Sequence, residues 1–414
     1  MNRSEIIEWL VQDDAAALER LWRRADRIRR EHVGDEVHLR GLVEISNHCR
    51  RQCHYCGLRA GNTRLARYRM TAGEILDCAR QAVEFDYGTV VLQAGEDAGL
   101  EAGWMAGIIR AIKAQTPLAV TLSLGERADD ELALWRQAGA DRYLLRFETS
   151  NLGLYERIHP ATADCELRNA NCELPGNQGR RQTPDDPQFG FHNSQLEHPR
   201  FAILRRLREL GYEIGSGVMI GIPGQTYEDL ARDIEAFAEL DLEMIGVGPF
   251  LPHPRTPLGE LRSANCEVRI EGATNGPTRG NSQFAIHNPQ SPQVPNDELT
   301  TYKVVALARL ICPDANIPST TALATLNRAD GRELGLARGA NVVMPNLTPP
   351  QYRAMYEIYP AKACTFESAG ECHDRLAGRI AAMARRVGTG RGDSPRRISM
   401  QRARRARSGK IGVE

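Results

Sequence analysis

The run Cys49-Arg50-Arg51-Gln52-Cys53-His54-Tyr55-Cys56 places three thiols within eight residues, with an aromatic ring before the last. Thiolates are soft ligands, suited to zinc or to iron–sulfur centres. On a cubane cluster three protein ligands leave one iron open, and an open iron is where a small molecule can bind and react. Zinc is the competing use, with His48 and His54 as candidate fourth ligands; zinc sites usually take their ligands as two separated pairs, whereas this is a triplet. The chain has ten cysteines and no apolar secretion segment at Met1–Leu10. It is therefore expected in the cytoplasm, where thiols stay reduced and clustered cysteines mean metal or redox chemistry rather than disulfides.

A triplet on a loop needs a rigid frame. Strand signals recur at Val37–Ser46, Thr89–Ala94, Ala119–Leu124, Arg142–Glu148, Glu213–Ile220, Met244–Pro249, weakly at Asn316–Thr321, and at Asn341–Pro345. Amphipathic stretches separate them. Thr71 with Glu74 has capping-box spacing ahead of Ile75, Ala79, Ala82 and Phe85, and Thr226 with Asp229 repeats it ahead of Leu230, Ile234 and Phe237. Eight β signals, each followed by helix-like sequence, predict an α/β fold of the closed (β/α)8 TIM type, with an open doubly wound sheet as the alternative. Ligands then gather at the C-terminal ends of the strands, and the triplet directly follows the first strand.

Residues 1–36 form a helical lead-in, with Ile6, Leu10, Leu18, Leu21 and Trp22 at roughly helical spacing, and residues 37–384 form the barrel. Two stretches rich in Asn, Gln, Gly and Pro, 161–199 and 262–297, read as disordered insertions after barrel strands. They resemble each other: Ala170-Asn171-Cys172-Glu173 and Gln188–Asn193 recur as Ala264-Asn265-Cys266-Glu267 and Gln283–Asn288. Cys172, His192, Cys266 and His287 would make a Cys2His2 site if the copies met, but neither copy has a tight ligand pair, which favours solvated inserts. From Arg385 to Glu414 ten basic residues face two acidic ones, the pattern of a basic, disordered, solubilising tail. Over the whole chain 53 basic residues cancel 53 acidic ones. No uniform field steers it to nucleic acid or to a membrane, and no stretch is long and apolar enough to span one.

The spacing Cys-x3-Cys-x2-Cys with Tyr55 resembles the signature of radical S-adenosylmethionine (SAM) enzymes, and Gln93-Ala94-Gly95-Glu96-Asp97 is similar to their Gly-Gly-Glu element with Ala94 in place of the first glycine. Outside the insertions, much of residues 38–375 resembles the HydE family of [FeFe]-hydrogenase maturases, relatives of biotin synthase and methylornithine synthase. The narrower match lies in Arg67–Thr71, Val90–Asp97, Arg146–Ser150, Gly221–Thr226, Gly248–Pro254, Thr320–Leu323 and Met344–Asn346.

The resemblance implies that Cys49, Cys53 and Cys56 hold one [4Fe–4S] cluster whose open iron chelates SAM. It places Tyr55 beside the cofactor and the backbone of Gly95–Glu96 at the SAM ammonium. Glu148 suits the ribose or the ammonium, and Arg200 the carboxylate. Ser123 is a further contact, with Gln93, Thr121 and Met244 as weaker ones. Arg146 is implied at an anionic handle of the substrate, and Thr320, Thr321, Met344, Tyr356 and Tyr359 in the interior cavity.

The implied substrate is a cysteine-bound iron complex carrying carbon monoxide and cyanide, supplied by the partner maturase HydG, with electrons from a ferredoxin or flavodoxin. One departure is that a second cysteine set of the family is incomplete: Cys364 and Cys372 are present, but Arg375 stands three residues later. The alternatives are a radical SAM mutase or synthase acting on a small amino acid, for which His253 is the less expected residue, and a zinc-containing RNA-associated protein.

Overall fold

The computed structural model describes residues 1–160, 198–261, 293–363, 367–395 and 398. Cys172, His192, Cys266, His287 and Cys364 lie outside them. Seven strands, β1 (Glu36–Ser46), β2 (Thr89–Ala94), β3 (Ala119–Ser123), β4 (Arg142–Leu144), β5 (Glu213–Ile220), β6 (Met244–Pro249) and β7 (Val342–Val343), lie in the order β6-β5-β4-β3-β2-β1-β7. Each neighbouring pair is parallel. Every residue of β5 and β6 is buried, as a sheet covered on both faces requires.

The circle closes through residues 316–318. Met244 bridges Asn316, and Pro318 bridges Val342, both in parallel sense. The amide of Ile245 donates to the carbonyl of Asn316 at 3.0 Å, and that of Asn341 to Ile317 at 2.9 Å. The eighth position is thus the weak strand signal of Asn316–Thr321, reduced to bridges because Pro318 has no N–H to extend the ladder.

Helices wrap the sheet. Both capping boxes form: Thr71 and Glu74 start the helix Ala72–Glu84, Thr226 and Asp229 the helix Tyr227–Glu239, each cap contributing about 1 kcal/mol. The lead-in is two helices, Arg3–Val11 and Ala15–Val33, the second packed on the helix Glu298–Ile311.

Three sequence boundaries move. Pro199, placed at the end of the first insertion, opens the helix Pro199–Glu209, where its missing N–H costs nothing. At the second insertion, Gln293 bridges Thr226 and Asp297 caps the helix Glu298–Ile311.

The tail expected from Arg385 begins as structure. Its first residues form β8 (Arg386–Val387), which pairs with Glu36 and Val37, and the following segment lies under the barrel floor. There Arg40 donates to the carbonyl of Gly392 at 3.0 Å, and Arg142 donates to that of Arg391 at 2.9 Å while pairing with Asp393 and Glu213. Apolar periodicity could not announce a segment whose contacts are ionic. Among the described residues no helix is long and apolar enough to cross a membrane.

Candidate active site

At the end of β1 the register slips between Glu44 and Ser46, a bulge that turns the chain out of the sheet and into the cysteine loop. The loop is tied from many sides. The Asn47 amide donates to the carbonyls of Ala66 and Met355 at 2.7 and 2.8 Å, and Arg67 donates to those of Leu58 and Arg59 at 2.9 and 2.8 Å. Gly95 at the end of β2 lets the loop approach, since a Cβ there would collide with the His48 carbonyl and come within 2.8 Å of Cys49 Cβ. The His54 amide donates to the Ile158 carbonyl at 2.9 Å, its ring Nδ1 donates to that of Arg157 at 2.7 Å, and the Tyr55 hydroxyl meets His159 Nε2 at 3.1 Å. Burial, then Arg200 and Arg51, hold His159 well below its usual range, so the imidazole is neutral and accepts from Tyr55.

A cavity of about 320 Å³ opens at the C-terminal strand ends. Its wall brings together Cys49, Tyr55 and Cys56 from the loop, Gln93 from β2 and Gly95 just past it, Ser123 from β3, Arg146 and Glu148 beyond β4, and Met244 from β6. Thr320, Thr321, Met344, Tyr356 and Tyr359 complete the opposite part. Arg146 holds Glu148 Oε2 at 2.9 Å, and Glu148 sits at φ 65°, a left-handed conformation that a non-glycine residue adopts at a cost of about 1 kcal/mol or more. Its amide and carbonyl stay paired, with Gly217 and Met219, at 3.0 Å each.

Four sequence-predicted residues stand off this wall. Thr121 is fully buried with its hydroxyl unpartnered. Cys53, unlike Cys49 and Cys56, does not line the cavity. Glu96 turns its carboxylate to Arg50 at 2.7 Å and Arg51 at 3.6 Å, fastening the loop instead of facing the cavity. Arg200 spends Nε on Glu126 at 2.9 Å and Nη1 on the Arg146 carbonyl.

Among solved structures, methylornithine synthase superposes with a TM-score of 0.65 at 20% identity over 94% of each chain, and HydG of Carboxydothermus hydrogenoformans with 0.65 at 17%, over 93% of this chain and 75% of HydG. These likenesses show the fold. The radical SAM superfamily model matches residues 43–171. The [FeFe] hydrogenase maturase subunit HydE of Thermotoga maritima is 39% identical over 387 residues, covering 94% of this chain and 92% of its own length. The chain belongs to the HydE family of radical SAM enzymes. The 3-methylornithine synthase of Methanosarcina acetivorans is 24% identical over 79% of the chain.

Like its superfamily, this HydE-family enzyme uses a [4Fe–4S] cluster and SAM, and the zinc and RNA alternative gives way. The donor set fits the cluster. Burial raises all three thiols, Cys53 up to about 12 with Cys49 adding to the effect, so protons are held until a metal replaces them. Among the described residues no three His, Cys, Asp or Glu side chains gather for a single metal ion. A cluster asks instead for one thiolate per iron.

Sequence reasoning missed several charged residues of the HydE-family cavity. Glu44, Lys362 and Arg332 line it, as does Asn346, whose amide donates to Glu44 Oε2 at 3.0 Å while Lys362 pairs with Oε1. Alternation along β1 marked Glu44 as a polar residue in a buried strand, the one signal available. Lys362 stands 318 positions away and had none. Cys372 is buried in the core on the helix Ala369–Ala382, and Arg375 pairs with Glu367.

Proposed function

We propose that this enzyme acts on a small, anionic, cysteine-bound iron carbonyl cyanide complex during assembly of the [FeFe]-hydrogenase active site. The observation that carries the reading is the charge of the cavity wall: Arg146, Lys362 and Arg332 against Glu44 and Glu148, in the same cavity as Cys49 and Cys56. Three cations over two carboxylates, most of them buried, favour a compact anion. When bound, the cluster and SAM supply one-electron reductive cleavage of the sulfonium S–C5′ bond, a source of a carbon-centred radical.

The chain's own part is to hold and orient. Cys49, Cys53 and Cys56 bind the cluster. The Gly95–Glu96 backbone, Ser123 and Glu148 take polar groups of SAM, with Gln93 and Met244 as lesser contacts, and Arg200 takes its carboxylate. Tyr55, fixed by His159, packs beside the cofactor. Arg146 binds the anionic handle of the substrate, and Thr320, Thr321, Met344, Tyr356 and Tyr359 shape its chamber and exclude water. The complex comes from HydG and the electron from a ferredoxin or flavodoxin, in the cytoplasm.

The test is anaerobic incubation with dithionite and SAM, assaying 5′-deoxyadenosine. Wild type is expected to release it and Cys53→Ala to release none. The iron complex should accelerate release while L-lysine does not. Acceleration by the amino acid alone would replace this substrate with that of a small-molecule mutase.

A further inference from the structure

Glu126 lies on the turn after β3, outside every role assigned above. The turn is rigidly mounted. Gly125 adopts φ 76°, its carbonyl accepts from the Tyr143 hydroxyl at 2.8 Å, and a Cβ on it would press on the Glu96 side chain. The Glu126 amide donates to Glu96 Oε2 at 3.2 Å, and Arg127 donates to the carbonyls of Asp97 and Leu100 at 2.9 and 2.7 Å. On this mount one oxygen, Glu126 Oε1, receives Arg51 Nη2 at 2.7 Å and Arg200 Nε at 2.9 Å. Arg51 sits between Cys49 and Cys53. Arg200 comes from the helix Pro199–Glu209, stacks over Tyr155 at 5.2 Å, and gives Nη1 to the Arg146 carbonyl, leaving Nη2 with no hydrogen bond to any described residue.

We propose that Glu126 is a positioning residue for SAM: its carboxylate holds Arg51 of the cysteine loop and Arg200 of the barrel wall at a fixed separation, so that Arg200 presents its remaining edge to the SAM carboxylate. Two guanidinium groups sharing one oxygen repel each other once that charge is gone. A guanidinium tethered at Nε and Nη1 has its fork aimed before the ligand arrives, which lowers the ordering cost of binding. A purely structural clamp would act on folding alone, whereas a positioning residue acts on SAM affinity and on the cluster's electrostatics.

The inference rests on the reading of the site as one for cluster and SAM. Reconstituted holoenzyme is compared as wild type, Glu126→Gln, Glu126→Asp and, as a surface control, Arg206→Gln, whose partner Asp129 is exposed. SAM dissociation constants, cluster reduction potential and melting temperature are measured. Glu126→Gln is expected to load a full cluster, bind SAM about tenfold more weakly, and shift the potential positive through loss of one negative charge beside the loop. Glu126→Asp, too short to reach both arginines, should fall between it and wild type, and Arg206→Gln should match wild type.

Wild-type SAM affinity and potential in Glu126→Gln, whatever its melting temperature, would overturn the proposal. If that variant takes up no cluster, Glu126→Asp decides, and wild-type affinity there overturns it equally. Failure of the wild-type enzyme itself to load a cluster or bind SAM would instead defeat the reading beneath.

Discussion

Lys362 and Glu44 form an ion pair whose side chains are 7% and 1% exposed. Desolvating two charges costs several kcal/mol, and an apolar pair of similar volume would often be as stable or more so, so a role in the cavity they line explains the pair better than stability does. Removing one partner is another matter. Lys362→Met leaves the Glu44 carboxylate with the Asn346 amide, and unfolding by denaturant should show a loss of about 3–5 kcal/mol. The double variant Glu44→Gln/Lys362→Met should recover most of it; a single variant within about 1 kcal/mol of wild type would mean that water reaches the pair. At this scale the cysteines were legible because their chemistry lies in local spacing. Glu44 and Lys362 were not, since each is an ordinary charged residue until the barrel closes.

Between residue and molecule stand the elements that aim the site. Glu148 keeps its left-handed backbone because the chain on either side is pinned: before it the Phe147 amide donates to the Ser216 hydroxyl at 3.1 Å, and after it Thr149 and Ser150 donate to Asp233 on the buried face of the helix Tyr227–Glu239. Gln225 donates to the second Asp233 oxygen at 3.2 Å. Burial raises the Asp233 carboxyl to about 7, against the opposing pull of the Ser150 amide and hydroxyl. A carboxyl whose pKa is higher folded than unfolded holds its proton more tightly in the native state. Its contribution is complete below about pH 4 and is lost as pH rises towards 7. Relative to Asp233→Asn, wild-type stability should therefore decline over that window by up to about 4 kcal/mol and stay level above it. A difference independent of pH would show that the group does not titrate there. The capping boxes were legible from four residues each, whereas the Asp233 contact joins two crossovers and was invisible to periodicity.

At the scale of the whole molecule the chain seals its own barrel. The segment after β8 supplies Asp393 to Arg142 and backbone carbonyls to Arg40 and Arg142, both almost fully buried. A chain ending at Ala384 should lose about 3–5 kcal/mol, read from its denaturation midpoint, because it leaves buried cations short of counter-charge. One ending at Pro395 should keep the wild-type midpoint, and equal midpoints for the two would show that the segment contributes nothing. With Arg375 where a third cysteine would complete a second set, anaerobic reconstitution should give about four iron and four sulfide per chain; a clearly higher stoichiometry would mean that Cys364 and Cys372 find further ligands. The sequence by itself determined the cysteine triplet, all eight barrel positions, one of them only weakly, and the family, because short-range spacing and strand periodicity are written along the chain. The tertiary structure alone decided that Arg51 and Arg200 meet on one oxygen of Glu126, that Glu96 turns to Arg50 and Arg51, that Glu44 meets Lys362, and that a basic tail starts as a floor. Those depend on Coulombic partners tens to hundreds of residues apart, which become neighbours, and become strong, when folding removes the water between them.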